Sequence, residues 1–543
     1  MYMYNSIKNK FNKIKASHLI LLFFIINIFF LTNFPFIHSD EAWLSGLSRQ
    51  IMQTENLAST ESFFDLLPRH PHAVKIFFHL LQIIFIKLFD YQIFTFRLIS
   101  LVAGSVSLYI FYKISFLITN SKKLSLSALI ILAADIHFIY SSHLARQEII
   151  LVLFFLSVFY YFLKNIDSKN ADNYYLKSGH SVQKDFILGL ILGLSIGFHP
   201  NAFIISMPLI LIYSWNLIFN QKTTFKNYLS FGAALTLTAL LFIYLSFQFD
   251  PNFISNYSSY GARLGVLDSF LIKLENLKAF YLKLFYRVSG TYYIPPIKFQ
   301  LIFFTAVITV SIIKSIFSRF KKDRINIYLL LTLLGLNLGY LIIGRYNQTS
   351  IIFILPAAYL IFINMIKNLN PKFRGSLVLI LIIILLLNTG FTIIKDSHYN
   401  YQDYLHQIAE VVPQEARVLA NLNTDYYFEN GSLYDYRNLE YLEENKLSFA
   451  DYINKNKIEY IIYPEEMDFI YNSRPSWNIL YGNLYPYYSE MQQFLKQKTK
   501  LIKIFSSSTY GMRIVRKIGQ KDWSVKIYKV NSAAGSEAVQ KAD

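Results

Sequence analysis

No cysteine occurs among the 543 residues, which excludes disulfides, thiolate nucleophiles and Cys-ligated metals and leaves the redox compartment open. Charge is scarce as well. Asp, Glu, Lys and Arg make up 16% of the chain, against 54% hydrophobic residues and a mean hydropathy of +0.34. So little charge cannot cover a water-soluble surface of this size, and many apolar runs approach the roughly 20 residues a helix needs to cross a bilayer. Internal repeats with a period of roughly 20–50 residues are absent, which excludes a solenoid. Acidic residues are also outnumbered, 34 against 52 basic, for a formal charge of +18. The Lys and Arg cluster in short loops between apolar runs, where they orient helices, so no nucleic-acid partner is expected.

What is present reads as a polytopic α-helical membrane protein with about 11 transmembrane helices. The spans fall near 18–37, 93–118, 124–142, 147–163, 185–199, 201–219, 227–248, 297–317, 325–343, 349–366 and 375–394. The first follows Lys8, Lys10, Lys13 and Lys15, and no small-residue cleavage site comes after it, so it reads as an uncleaved helix. The segment from Ala73 to Phe89 is apolar but carries Lys75, His79, Gln82 and Lys87, and reads as amphipathic and interfacial. With that assignment, Lys122 and Lys123, the 164–184 stretch, Lys222 and Lys226, the 314–324 stretch and the 367–374 stretch all face the cytoplasm. All five are basic, as the positive-inside rule requires. The N-terminus is then cytoplasmic, and residues 38–92 and 249–298 form external loops of a membrane module spanning 1–395.

After Lys395 the apolar runs shorten and Tyr and Asn become frequent. Strand-like pieces at Arg417–Ala420, Ile458–Tyr463, Leu501–Phe505 and Val525–Val530 alternate with helical patterns at Tyr401–Val412 and Ser448–Lys457. Residues 396–530 therefore read as an extracytoplasmic α/β domain, and 531–543 as a disordered tail.

The residues with chemistry collect at span ends on one face. Asp40, in HSDEAW, follows the first span, where a carboxylate can accept a proton; the alternative is that Ser39 or Asp40 caps a helix starting near Glu41. Arg69-His70-Pro71 can equally be a loop leading into a Pro-started helix. Arg146 and Glu148 open the fourth span in HLARQE, where an acid in the first turn is an ordinary dipole partner. His199, in GFHPN, suits a hydrogen-bonded core position, a phosphate contact or a metal. Arg345 sits in a tiny loop as an interface anchor or, through its planar fork, a phosphate ligand. Arg263, Lys273, Lys278, Lys283 and Arg287 flank an amphipathic stretch suited to membrane lipid headgroups. Asp135 lies inside a span and would suit a translocation path, which keeps a transporter or lipid flippase as the alternative, with a non-catalytic scaffold as a third.

The ordered set of motifs carries a resemblance: DEAW in the first external loop, an HP pair, FRL at Arg97, LARQE opening the fourth span, a Gly-rich span ending in HPN, then RY with Pro356 in a late span. It resembles the bacterial and archaeal GT-C glycosyltransferases, and more narrowly family 39, related to protein O-mannosyltransferases and lipid A aminoarabinose transferases. The chain departs from that pattern at His70-Pro71-His72, where relatives show HPP, and at Arg146-Gln147-Glu148, where they show RPE or RPD. The resemblance implies a cell-envelope glycosyltransferase that takes a sugar from a polyprenyl-phosphate donor to a protein, lipid or glycan hydroxyl. Asp40 would be the general base of an inverting transfer. Arg345, with His70, Arg146 or His199, would stabilise the departing phosphate. Glu41 and Glu148 would position the acceptor or, with His199, hold a divalent cation; metal dependence stays open.

Overall fold

The computed structural model describes residues 15–167, 181–220, 224–286, 294–317, 323–344, 346–396, 400–507 and 523–531. Expectations for Arg287, Arg345, part of the 164–184 stretch and the tail beyond Asn531 lie outside the described residues. In chain order the helices are α1 (Ala16–Ile28), α2 (Ser39–Thr54), α3 (Ile76–Phe89), α4 (Ile93–Thr119), α5 (Lys122–Ala133), α6 (Ile136–His143), α7 (Glu148–Asp167), α8 (Val182–Leu194), α9 (Ala202–Trp215) and α10 (Phe225–Phe249). They continue with α11 (Phe253–Arg263), α12 (Phe270–Tyr286), α13 (Lys298–Phe317), α14 (Arg324–Ile343), α15 (Ile354–Ile366), α16 (Pro371–Asp396), α17 (Tyr401–Ala409), α18 (Phe449–Lys455), α19 (Glu466–Ser473) and α20 (Leu484–Lys498).

Among the described residues, eight helices are long and apolar enough to cross a membrane, or nine if the bent pair α5 and α6 is one span. The 64° bend between them follows from Asp135, which caps α6 by accepting the His137 N–H at 2.7 Å. Thr389 donates to the carbonyl of Ala134 at 2.7 Å, so the break leaves its backbone groups satisfied. The expected spans at 18–37 and 185–199 contain helices of only 13 residues, because α1 gives way to turns after Ile28 and α8 tightens into a 3-10 turn at Ser195–Gly197. The α3 helix, 14 residues long, is also short for a crossing, and exposes Leu80, Ile84 and Leu88 as an apolar stripe while burying His79 and Gln82.

Helices α8 and α10, and α9 and α14, meet through glycines four apart. A Cβ on Gly335 of α14 would lie 2.5 Å from the Pro208 backbone in α9, and one on Gly339 2.6 Å from the Cα of Ile204. A Cβ on Gly193 of α8 would lie 2.7 Å from the Thr238 side chain in α10. In a bilayer, where apolar burial between helices gives no advantage over lipid, this backbone-to-backbone approach is what brings helices together.

The chain divides into two compact units. The first holds the described residues of Met1–Pro35, His72–Leu81 and Phe96–Asp396, and the second those of Phe36–Pro71, Gln82–Thr95 and Ser397–Asp543. The second unit contains a five-stranded mixed sheet ordered β2-β1-β3-β5-β4, with β1 (Val418–Ala420), β2 (Leu433–Asp435), β3 (Tyr460–Pro464), β4 (Thr499–Ser507) and β5 (Trp523–Val530). β1 runs parallel to β2 and β3, while β5 runs antiparallel to β3 and β4. Leu419, Ile461 and Tyr463 of the sheet pack with Phe449, Met467, Tyr481 and Met491 into its core. The expected α/β domain is present, and the acid-bearing 36–71 segment belongs to the same compact unit.

Candidate functional site

The helix that carries Asp40 starts with a capping box. His38 is the N-cap: its Nδ1 accepts the N–H of Asp40 at 3.1 Å, and the Glu41 carboxylate accepts the N–H of His38 at 2.9 Å. Neither Ser39 nor Asp40 is the cap. The acidic pair is thereby split, because Glu41 is wholly buried and fixed by its capping bond, whereas the Asp40 side chain keeps 27% of its surface exposed. His38 Nδ1 lies 3.7 Å from Asp40 Oδ1.

The rest of α2 is anchored within its unit. Trp43, one turn beyond Asp40, donates its indole N–H to Glu61 at 2.5 Å. Arg69 donates to both oxygens of Glu61 at 3.0 and 3.2 Å, and lies over the Trp43 ring at 4.9 Å. Arg437, paired with Asp435 at 2.7 Å, covers the same ring at 4.7 Å. Burial works against the Glu61 charge, but the Arg69 guanidinium and the Trp43 N–H hold its carboxyl down at about 2. Nearly two turns beyond Trp43, Arg49 donates to Asp425 and to the Phe428 carbonyl, each at 2.8 Å, and Tyr91 donates to the other oxygen of Asp425 at 2.5 Å. Burial also opposes the Arg49 charge, yet Asp425 holds it above the ordinary arginine range. Gly46 fits this crowding, since a Cβ there would lie 2.5 Å from the Phe63 ring. His70 is exposed, and its neighbour Arg69 is the residue engaged in the ion pair.

In the first unit, Arg146 and Glu148 are brought together as a buried fork at 3.0 and 3.2 Å, and Thr349 donates to Glu148 at 2.8 Å. His199 sits at the break between α8 and α9, where its Nδ1 accepts the N–H of Asn201 at 3.0 Å. Tyr346, next to Arg345, packs its ring on Phe280 at 4.8 Å and Tyr340 at 5.2 Å. An apolar cavity of about 720 Å³ lies between α12, α13 and α14, lined by residues that include Tyr281, Phe285, Phe304 and Leu334.

Glu41, Glu148 and His199 do not fit a metal centre: the first caps a helix, the second pairs with Arg146, and the third has its Nδ1 on a backbone N–H. Among the described residues no group of three or more His, Asp or Glu side chains is gathered closely enough to hold a metal ion.

Two residues of consequence escape reasoning from charge and spacing. Arg97, fully buried, donates to the carbonyls of Leu31 and Pro35 at 2.9 and 2.8 Å, and His143 Nδ1 lies 2.8 Å from the carbonyl of Phe34. Together they fix the stretch that runs on into His38 and α2. The FRL at Arg97 was the available signal. Asp135, which suited a translocation path, is occupied as the cap of α6 and as acceptor for Tyr359 and Gln300.

Residues 69–247 match the family model of dolichyl-phosphate-mannose-protein mannosyltransferases. No curated protein sequence matches the chain. ArnT from Cupriavidus metallidurans, solved with undecaprenyl phosphate, has 10% identity and a TM-score of 0.54 over 95% of this chain and 98% of its own. The apo oligosaccharyltransferase of Archaeoglobus fulgidus has 13% identity and a TM-score of 0.51 over 88% of this chain and 72% of its own. The same enzyme with an inhibitory peptide and a dolichol-phosphate gives 11% and 0.51, over 91% and 74%. The family match thus covers residues 69–247, about a third of the chain, while the fold is similar to that of these solved proteins along nearly the whole chain.

Proposed function

We propose that the protein transfers a sugar from a polyprenyl-phosphate donor to an acceptor hydroxyl on the outer face of the membrane, with inversion and with Asp40 as general base. The observation that carries this reading is the division of the acidic pair. Glu41 is consumed by the capping box, while Asp40 stands in the same turn with surface open to a substrate. The donor class is supported by relatives of the same fold solved with undecaprenyl phosphate and with dolichol-phosphate.

The acceptor oxygen attacks the anomeric carbon as its proton passes to Asp40, and the bond from that carbon to the phosphate oxygen breaks. Polyprenyl phosphate leaves with the electron pair, so stabilising its charge is the second requirement. Arg345 is the residue suited to it. Arg146 is less so, because Glu148 already neutralises its guanidinium, and the pair instead holds the start of α7 against Thr349. The outer-face assignment is supported by the five basic loops, which the positive-inside rule assigns to the cytoplasm, with the N-terminus inside and the α/β domain outside.

Membranes containing the protein, offered a panel of radiolabelled polyprenyl-phosphate sugars, should move label from one of them to an acceptor and release polyprenyl phosphate. Label that crosses the membrane while still on its lipid would instead support a flippase.

A further inference from the structure

Within the second unit, α2 docks on one particular edge of the sheet. β2, β1 and β3 lie parallel in that order, so the chain leaves β1 to one side for β2 and then crosses back for β3. In open α/β sheets, the space beyond the carboxyl ends of strands that diverge in this way is where a ligand is held. Here α2 takes that place, packed on the 3-10 turn Leu422–Thr424 that follows β1.

Two buried acids at these strand ends hold the helix. Asp425, just past that turn, receives Arg49 at 2.8 Å, and Asp435, the last residue of β2, receives Arg437 at 2.7 Å. Asp435 also accepts the N–H of Leu422 at 3.1 Å, so one carboxylate ties the end of β2 both to the turn after β1 and to the guanidinium over the Trp43 ring. The stretch after α2 is fastened at the same edge. The carbonyl of Phe63 accepts the N–H of Asp435 and the side-chain amide of Asn438, each at 3.1 Å. An apolar contact of the same shape would hold a helix at least as firmly, because a buried ion pair returns little beyond its desolvation cost. What directional pairs can add is one defined register of helix on sheet. Trp43 stands three residues beyond Asp40 on the same side of α2, so that register reaches the carboxylate.

We propose that the α/β domain positions the base of the reaction: Asp425 through Arg49, and Asp435 through Arg437 on Trp43, fix the register of α2 and with it the place of the Asp40 carboxylate. Asp435 and Arg437 are positioning residues that act through Trp43. The proposal rests on the reading of Asp40 as general base.

The test takes the full-length protein in nanodiscs and follows hydrogen exchange on 38–50, together with sugar transfer per folded molecule from the polyprenyl-phosphate sugar that the wild type uses. Arg437→Gln should speed exchange in the first turns of α2 several-fold while α9 and α14 exchange unchanged. It should also lower kcat by about one to two orders of magnitude, the effect of a small misplacement of a reacting group, with the KM for the donor unaltered. Arg437→Lys, which keeps a cation for Asp435 and for the indole, should recover most of the rate. Asp435→Glu keeps every charge and only displaces Arg437, so it should act in the same direction as Arg437→Gln and replaces it if that variant does not fold. Unchanged exchange in α2 would overturn the proposal. So would a normal kcat per folded molecule in membranes where Asp40→Asn abolishes transfer, an outcome that leaves the general base standing. Near-normal transfer by Asp40→Asn itself would remove the general base, and this proposal with it.

Discussion

A carboxylate is useful as a base only if a substrate can reach it. Glu41, its oxygen on the His38 N–H, has no exposed surface, whereas Asp40 keeps exposed surface at the start of the same helix. Glu61 shows the opposite use of an acid, as a buried counter-ion for Arg69 and acceptor for Trp43. Its carboxyl titrates near 2 instead of 4.5, so the ionised form favours the fold. At roughly 1.4 kcal/mol per pH unit this contributes about 3 kcal/mol above pH 4.5, and the contribution is lost as pH falls from there toward 2. Glu61→Gln should therefore lower the thermal midpoint at neutral pH and flatten its decline in that acid range. An unchanged decline would show that Glu61 is not held as described. Asp40 was legible because it follows a span in DEAW; Glu61 was not, since nothing in a loop sequence tells which distant guanidinium and indole will close over one acid.

At the scale of elements, hydropathy located most of what matters. The spans expected near 93–118, 201–219, 227–248, 297–317 and 325–343 are helices whose ends fall within a few residues of those limits. Within the expected spans 18–37 and 185–199 the α-helices end early, at Ile28 and Leu194, a detail hydropathy alone does not give. Four of the five strands were legible from β-branched and aromatic runs; β2, only three residues long, was not. Helix contacts were hidden too, because a glycine marks a close approach only once its partner is known. Gly335→Ala should push α14 from the Pro208 backbone and cost about 1–3 kcal/mol, as overpacking does. Gly375→Ala, with open space around it, should cost nothing. Equal thermal midpoints for the two variants in detergent would contradict the close packing.

For the whole molecule, the division into two units regroups the sequence. The 36–71 segment, which reads as a loop of the membrane module, is compact with the C-terminal sheet through Arg49, Asp425, Trp43 and Arg437. Pairings across nearly 400 positions leave no local trace, whereas the change of composition after Lys395 does. The basic loops then predict the side on which each unit's chain emerges, and a reporter fused at Lys395 should be external. A cytoplasmic reporter would mean that α3 crosses the membrane after all. The central claim is that Asp40 removes the acceptor proton, and comparing sugar transfer by wild type and Asp40→Asn in the same membranes tests it most directly. The account predicts an inserted, folded variant with transfer reduced by about two to four orders of magnitude, the usual contribution of a general base; transfer within a few-fold of wild type would contradict it.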